Sequence, residues 1–334
     1  MRAVIFGCEG PALCGAERDF FREADPLGFI LFARNCETPD QVRALTDALR
    51  DCVGRDDAPV LIDQEGGRVQ RLRPPHWRDA PAAATFGRIA AGDPDRAREA
   101  VRLNARLIAA ELTALGIDVN CLPVLDVPAA GAHDIIGDRA FARDPKVIAD
   151  LGHAACDGLM AGGVLPVIKH IPGHGRAAVD SHADLPRVDA SAEDLAATDF
   201  APFRALKDMP WAMTAHVVYT RIDATAPATL SATVVGETIR RDIGFDGLLL
   251  TDDISMGALG GPMAERTAGS LAAGCDVVLH CNGGMAEMEA IAAAVPEITA
   301  AARARLAAGR VAGAVDDFDA AAGLARLAKL LGQG

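Results

Sequence analysis

Eight short apolar runs punctuate the chain, at residues 3–6, 28–32, 59–63, 119–125, 164–170, 212–218, 248–252 and 277–281. They are apolar throughout instead of alternating with polar positions, the pattern of parallel strands covered on both faces. Between them the apolar positions take up helical spacing, in TPDQVRALTDALRDC, PDRAREAVRLNARLIAAELTALG, PKVIADLGHAACDGLMAGG, SAEDLAATDFAPFRALKD, SATVVGETIRRDIG and AERTAGSLAAG. Thr38-Pro39 and Ser191 followed by Asp194 supply helix starts, and several of these segments stop on Gly. About eight β/α repeats without a break in composition predict an α/β fold, a (β/α)8 TIM barrel. An open dinucleotide-binding sheet needs an early G-x-G-x-x-G turn, and the sequence has none. From about residue 285 the chain is Ala-rich and helical, interrupted at Pro296. These helices are expected to pack on the barrel, so that residues 1–334 form a single catalytic domain.

Composition narrows the setting. The chain has 334 residues, half of them hydrophobic, and a mean hydropathy of +0.17, which suits a dense α/β interior. No apolar run nears the ~18 residues of a membrane span. The start, MRAVIFGCEG, is too short and too weakly apolar for a secretory signal, so a cytoplasmic protein is expected. A net charge of −13 without any basic run argues against a nucleic-acid partner. Aromatic residues are few, 2 Trp, 1 Tyr and 11 Phe, so platforms for stacking bases are scarce as well. Eight cysteines, at 8, 14, 36, 52, 121, 156, 275 and 281, form no C-x-x-C pair and no zinc spacing. They read as small hydrophobes in a reducing compartment.

In a (β/α)8 barrel the chemistry gathers where strands end and loops begin. Polar clusters stand at those places: IDQEGGR, LDV, IKHIPGHG, MTAHVV and LLLTDD. Asp252 and Asp253 are neighbours on an extended segment, so one of them is expected to face the barrel mouth; both could also cap the next helix. His170 and His174 have the i, i+4 spacing of a helical metal pair, but Pro172 and Gly173 between them forbid the helix. Lys169 at a strand end could form a Schiff base or, more simply, bind ligand hydroxyls beside His170. Asp180 and His182 are two apart in the same loop, where the carboxylate can accept the imidazole N–H and fix its tautomer.

The blocks KHIPGHG plus four residues plus DSH, DQEGGRVQRLR, LPVLDV, GDRAF, AHVVY and GFDGLLLTDDISMGAL, in order from about residue 28 to 282, resemble family 3 glycoside hydrolases. The histidine-rich loop resembles in particular the single-domain bacterial β-N-acetylglucosaminidases that act on cell-wall fragments in the cytosol. Ile171 stands where Phe is commoner, and GDRAF replaces a Glu-Arg-Ser version. The resemblance implies a retaining exo-β-N-acetylglucosaminidase of peptidoglycan recycling. Asp252 would be its nucleophile, and His182 its general acid/base, oriented by Asp180. Asp63, Arg71, Arg139, Lys169 and His170 would hold the sugar, and His174 is assigned to loop structure.

The same resemblance implies a small-molecule glycan substrate of the GlcNAc-anhydromuramyl type, no cofactor, no metal and a monomer, while the composition already predicts no membrane or nucleic-acid partner. An imidazole acid/base, with an ordinary pKa of about 6.5, suits donation and then abstraction of a proton near neutrality. It also leaves less negative charge near the glycosyl-enzyme than a second carboxylate would, which admits a phosphorylase of the same branch as an alternative. A non-catalytic sugar-binding barrel, an aldolase and a metallohydrolase are the readings from other classes.

Overall fold

The computed structural model describes residues 1–129, 131, 135–177, 185–309 and 317–332. Eight parallel strands close into a barrel: β1 Arg2–Gly7, β2 Pro26–Leu31, β3 Val60–Ile62, β4 Val119–Asn120, β5 Leu165–Ile171, β6 Trp211–Thr214, β7 Leu248–Asp253 and β8 Val277–His280. Each pairs with its neighbours in chain order, and Val4 opposite Val278 closes the ring between β1 and β8. All eight apolar runs read from the sequence are therefore barrel strands. Their side chains are buried almost without exception, as a sheet covered by helices outside and packed within requires.

Two runs are shorter as strands than their apolar length suggests. The run at 119–125 is a ladder only at Val119–Asn120, with one further bridge from Val124 to Lys169. Pro123 interrupts it, because a proline has no N–H to give to a ladder. The run at 212–218 leaves the barrel after Thr214, and Val218–Tyr219 pairs with Arg187–Val188 outside it.

The expected helices form at Pro39–Val53, Pro94–Thr113, Pro145–Ala161 and Met263–Ala273. Thr38 and Ser191 accept the backbone N–H groups of Gln41 and Asp194, the two caps read from the sequence. The segment around 191–208 divides into Ala192–Ala197 and Ala201–Ala205, the second starting with Pro202 in its first turn. Val234–Ile243 winds as a π-helix. Gly15–Ala24 and Ala83–Ala90 are helices that the apolar spacing did not mark. After residue 285 come Met285–Ala294, Ala300–Ala308 and Ala320–Leu331. The last of these lies against Pro94–Thr113, with Leu327 and Leu330 buried and Arg326 paired to Glu99. Among the described residues no helix is long and apolar enough to cross a membrane.

Candidate active site

At the C-terminal ends of the strands a cavity of about 260 Å³ opens in the barrel mouth. Asp63, Arg71, Arg139, Lys169, His170 and Asp252 all border it, together with His174, Asp253, Phe32 and Met213. Asp63, Arg71, Arg139, Lys169, His170 and Asp252 thus meet from four stretches of the chain. Asp180 and His182 lie outside the described residues.

The segment after β3 delivers the first two. Gln64 is fully buried and folds the chain back on itself: its amide oxygen accepts the N–H groups of Arg71 (2.8 Å) and Leu72 (3.0 Å), and its amide nitrogen donates to the Leu72 carbonyl (3.0 Å). Asn120 on β4 exchanges two more bonds with the Gln64 backbone, each 3.0 Å. So held, Arg71 reaches Asp63 at 3.0 Å and lies over the Phe32 ring, 4.7 Å from its centroid.

β5 delivers Lys169 and His170, joined by a cis peptide, and both side chains line the cavity. The buried Lys169 ammonium sits 2.7 Å from Asp63 and 2.7 Å from Glu65. Arg139 grips the same Glu65 with two bonds, at 2.8 and 2.9 Å. Burial would lift both carboxyls, but Lys169 and the arginines outweigh it and hold Asp63 and Glu65 below the usual carboxylate range. For Lys169, burial would favour the neutral amine, yet the two carboxylates win and push its value above that of an ordinary lysine. A lysine kept as an ammonium does not serve as a Schiff-base nucleophile. The carbonyl-trapping reading of Lys169 therefore fails on electrostatics.

His170 is fixed from behind by Asp126, whose Oδ2 lies 2.6 Å from Nδ1. The other oxygen of Asp126 accepts the His174 N–H at 2.6 Å. Asp126 is fully buried; that burial would raise its carboxyl, but His170 and the His174 amide pull it down to about 2. The turn from His170 to His174 is shaped by Gly173, at φ +141°, and by Gly175, where a Cβ would stand 2.0 Å from the Val127 carbonyl oxygen. His174 does support this loop through its backbone, as the sequence reading had it, but its ring also borders the cavity, 5.7 Å from that of His170. Burial, and secondarily His170, lowers its pKa to about 4.

β7 ends in the two aspartates. Both touch the cavity, where one was expected. Their carboxylates differ in engagement. Asp253 accepts the Ser255 N–H (3.0 Å), the Ser255 hydroxyl (2.6 Å) and the Cys281 N–H (3.2 Å). Among the described residues the Asp252 carboxylate accepts one bond, from the Asp253 N–H at 2.8 Å. Burial would raise the Asp252 carboxyl, but His170, His216, that N–H and Lys169 together bring it below its ordinary value. His216 is buried beneath this strand end, with Nε2 3.0 Å from the Asp253 carbonyl and Nδ1 2.7 Å from the Thr229 hydroxyl. A carbonyl accepts, so Nε2 carries the proton, and burial pushes the imidazole pKa down toward that neutral form.

Glu65, Asp126 and His216 were not among the residues picked from the sequence, although each stands in a strand-end block: DQEGGR, LPVLDV and AHVVY. Their signal was position, a polar side chain directly after an apolar run. None of the eight cysteines is disulfide-bonded, and Cys14 and Cys36 are the two not buried.

The sequence model of the glycosyl hydrolase family 3 N-terminal domain matches residues 21–313. The chain is 40% identical to a β-hexosaminidase of Alkalilimnicola ehrlichii over 283 residues, 84% of this chain and 80% of that one. It is 39% identical to a β-hexosaminidase of Thioalkalivibrio sulfidiphilus over 336 residues, 99% and 89% of the two chains. Among solved structures, NagZ from Neisseria gonorrhoeae in complex with N-trifluoroacetyl-D-glucosamine superposes with a TM-score of 0.89 at 33% identity, covering 99% of this chain and 98% of that one. A family 3 β-N-acetylglucosaminidase from a Paenibacillus species gives 0.81 at 31%, covering 99% and 61%.

Proposed function

The chain belongs to glycosyl hydrolase family 3 and is a glycoside hydrolase; from that premise we propose that it is a retaining exo-β-N-acetylglucosaminidase that removes terminal N-acetylglucosamine from cell-wall muropeptide fragments in the cytoplasm, acting as a monomer of one catalytic domain. The observation that carries the chemistry is the contrast between Asp252 and Asp253. Two carboxylates share a strand end in the cavity, and the one with the fewer partners is held ionised. A lightly bonded, anionic carboxylate facing a sugar-sized space suits a nucleophile that forms a glycosyl ester.

Attack by Asp252 on the anomeric carbon expels the aglycone oxygen, which takes its proton from His182, oriented by Asp180. The resulting imidazole then takes a proton from water as that water cleaves the ester with a second inversion. Lys169, Asp63, Arg71, Arg139 and His170 hold the hydroxyls and ring. Because Lys169, Arg71 and Arg139 are matched by Asp63, Glu65 and Asp252, these groups offer a surface without net charge, which fits an uncharged sugar better than an anion. At about 260 Å³ the cavity is below the ~300–1,000 Å³ of sites for drug-sized ligands, which suits a single terminal residue and exo cleavage.

The N-acetyl preference is supported by two relatives. One is solved with N-trifluoroacetyl-D-glucosamine, and the other is named a β-N-acetylglucosaminidase. The test is nitrophenol release from the aryl β-glycosides of N-acetylglucosamine and of glucose, each with and without excess inorganic phosphate. Turnover confined to the N-acetyl sugar, with free sugar as product, is expected. Turnover of glucose, or of neither, would sink the substrate assignment. Sugar 1-phosphate as product would replace hydrolysis by phosphorolysis.

A further inference from the structure

His170 shows one ring nitrogen to the protein and the other to the cavity. Nδ1 is 2.6 Å from Asp126 Oδ2, whereas Nε2 has no hydrogen-bond partner among the described residues in a side chain that lines the cavity. Asp126 itself is completely buried and reaches no part of that space. Its remaining oxygen is spent on two backbone donors, His174 N at 2.6 Å and His170 N at 3.3 Å. A carboxylate so placed accepts and does not donate. The ring proton of a neutral His170 therefore resides on Nδ1, and Nε2 faces the cavity as an acceptor.

We propose, building on the glycosidase reading above, that Asp126 is a positioning residue of the reaction: by holding the Nδ1–H tautomer of His170 it makes Nε2 the acceptor for a hydroxyl hydrogen of the bound sugar. A hydroxyl both donates and accepts, so the polarity of this contact decides which lone pairs and which proton it keeps for its other partners. The groups around His170 are consistent with that polarity. Lys169 and Arg139 supply donors to the cavity, while Asp63 and Asp252 supply acceptors. His174 and His216 complete the surroundings of the ring, and His216 is tied to Thr229 and the Asp253 carbonyl. Asp126 also joins two structural units, since the atom that takes the His174 N–H anchors the turn between Pro172 and Gly175.

The test is Asp126→Asn. Its amide oxygen keeps an acceptor for the His174 and His170 N–H groups, while its NH₂ faces Nδ1 and forces the ring proton to Nε2. Long-range ¹H–¹⁵N spectra of the neutral imidazole, with the His170 signals identified by their loss in His170→Gln, are expected to show protonation at Nδ1 in the wild type and at Nε2 in the variant. Unchanged protonation between the two would overturn the inference, and this readout needs no substrate. It therefore remains decisive if the wild-type enzyme fails to cleave aryl β-N-acetylglucosaminide, a result that would instead defeat the functional reading.

With a cleavable substrate, kcat/KM for Asp126→Asn is expected to fall on the order of 100-fold, the scale of a misplaced contact group. Asp126→Asn on the His170→Gln background should cost almost nothing more. Losses that multiply would show that Asp126 does not act through His170. Should the amide variant not fold, Asp126→Glu serves as the conservative variant: its carboxylate still accepts from Nδ1, so it is expected to keep the Nδ1–H tautomer and most of kcat/KM. A large loss of kcat/KM with the tautomer unchanged, or a tautomer moved to Nε2 with kcat/KM retained, would overturn the inference.

Discussion

Asp252 and Asp253 are consecutive on β7, yet among the described residues one carboxylate accepts three hydrogen bonds, from Ser255 and Cys281, while the other accepts a single one, from its neighbour's N–H. A carboxylate whose lone pairs are taken by three donors is a poor nucleophile and a good brace. Asp253 in effect ties β7 to β8 through the Cys281 amide, and so sets the direction in which Asp252 points. The two residues are chemically identical and adjacent along the backbone; their different engagement comes from their surroundings.

The pair therefore predicts a split between chemistry and stability. Asp252→Asn removes the charge proposed to attack the anomeric carbon and should abolish turnover while leaving the melting temperature close to that of the wild type. Asp253→Ala leaves the Ser255 and Cys281 donors without their acceptor, a loss of roughly 1–3 kcal/mol for each buried group. It should lower the melting temperature and reduce, without abolishing, turnover. Wild-type-like activity in Asp252→Asn would remove it from the nucleophile's role.

His182→Ala should separate substrates by leaving group. An activated aryl alcohol departs with little protonation, whereas a sugar hydroxyl needs it. We expect kcat/KM to fall by roughly 10²–10⁴-fold on a disaccharide and far less on a nitrophenyl glycoside. Equal losses on both would deny His182 the acid role.

The barrel was legible because its strands are buried on both faces and so read as unbroken apolar runs. The helix at Gly15–Ala24 was not, because its buried residues are only Glu17, Phe21 and Ala24, and its cap is the uncommon Cys14 with Glu17 closing the box. Asp63, Lys169, His170 and Asp252 could be picked by their place at strand ends, whereas Arg71 and Arg139 came from the resemblance of their motifs, and the structure gathers all six around one cavity. What one sequence does not carry is the pairing. Lys169 meets Asp63 across 106 positions, and Arg139 meets Glu65 across 74. Such partners are chosen by barrel closure, which leaves no local pattern, and Asp126 behind His170 escaped notice for the same reason.

That pairing has an energetic consequence. Lys169→Met leaves three carboxylates, Asp63, Glu65 and the nearby Asp252, with only Arg71 and Arg139 to balance them. Removing one partner of a buried charge cluster costs roughly 3–5 kcal/mol, which in a chain of this length amounts to several degrees of melting temperature. Adding Asp63→Asn to Lys169→Met should restore part of that stability, because the surplus negative charge is gone, while activity stays low. A double variant less stable than the single one would show that the three groups do not act as a charge cluster.

The buried groups also fix how stability follows pH. Asp126, Asp63 and Glu65 are held below their ordinary values, so their contribution is complete above the ordinary carboxylate range and is lost as pH falls through the lowered ones. Lys169 is raised, so its contribution is complete below 10.5 and disappears only at higher pH still. His174 works in a window of its own. It stays neutral in the folded protein down to about 4, whereas the unfolded imidazole takes a proton near 6.5, so the unfolded chain binds more protons between those values and stability falls as pH is lowered through them. The slope from this one group cannot exceed about 1.4 kcal/mol per pH unit. Melting curves from pH 7 to 4.5 should therefore decline more steeply for the wild type than for His174→Gln, which has nothing to protonate there. His216, also lowered, keeps some slope in both. Parallel curves for the two proteins would mean that His174 is not held neutral by its burial.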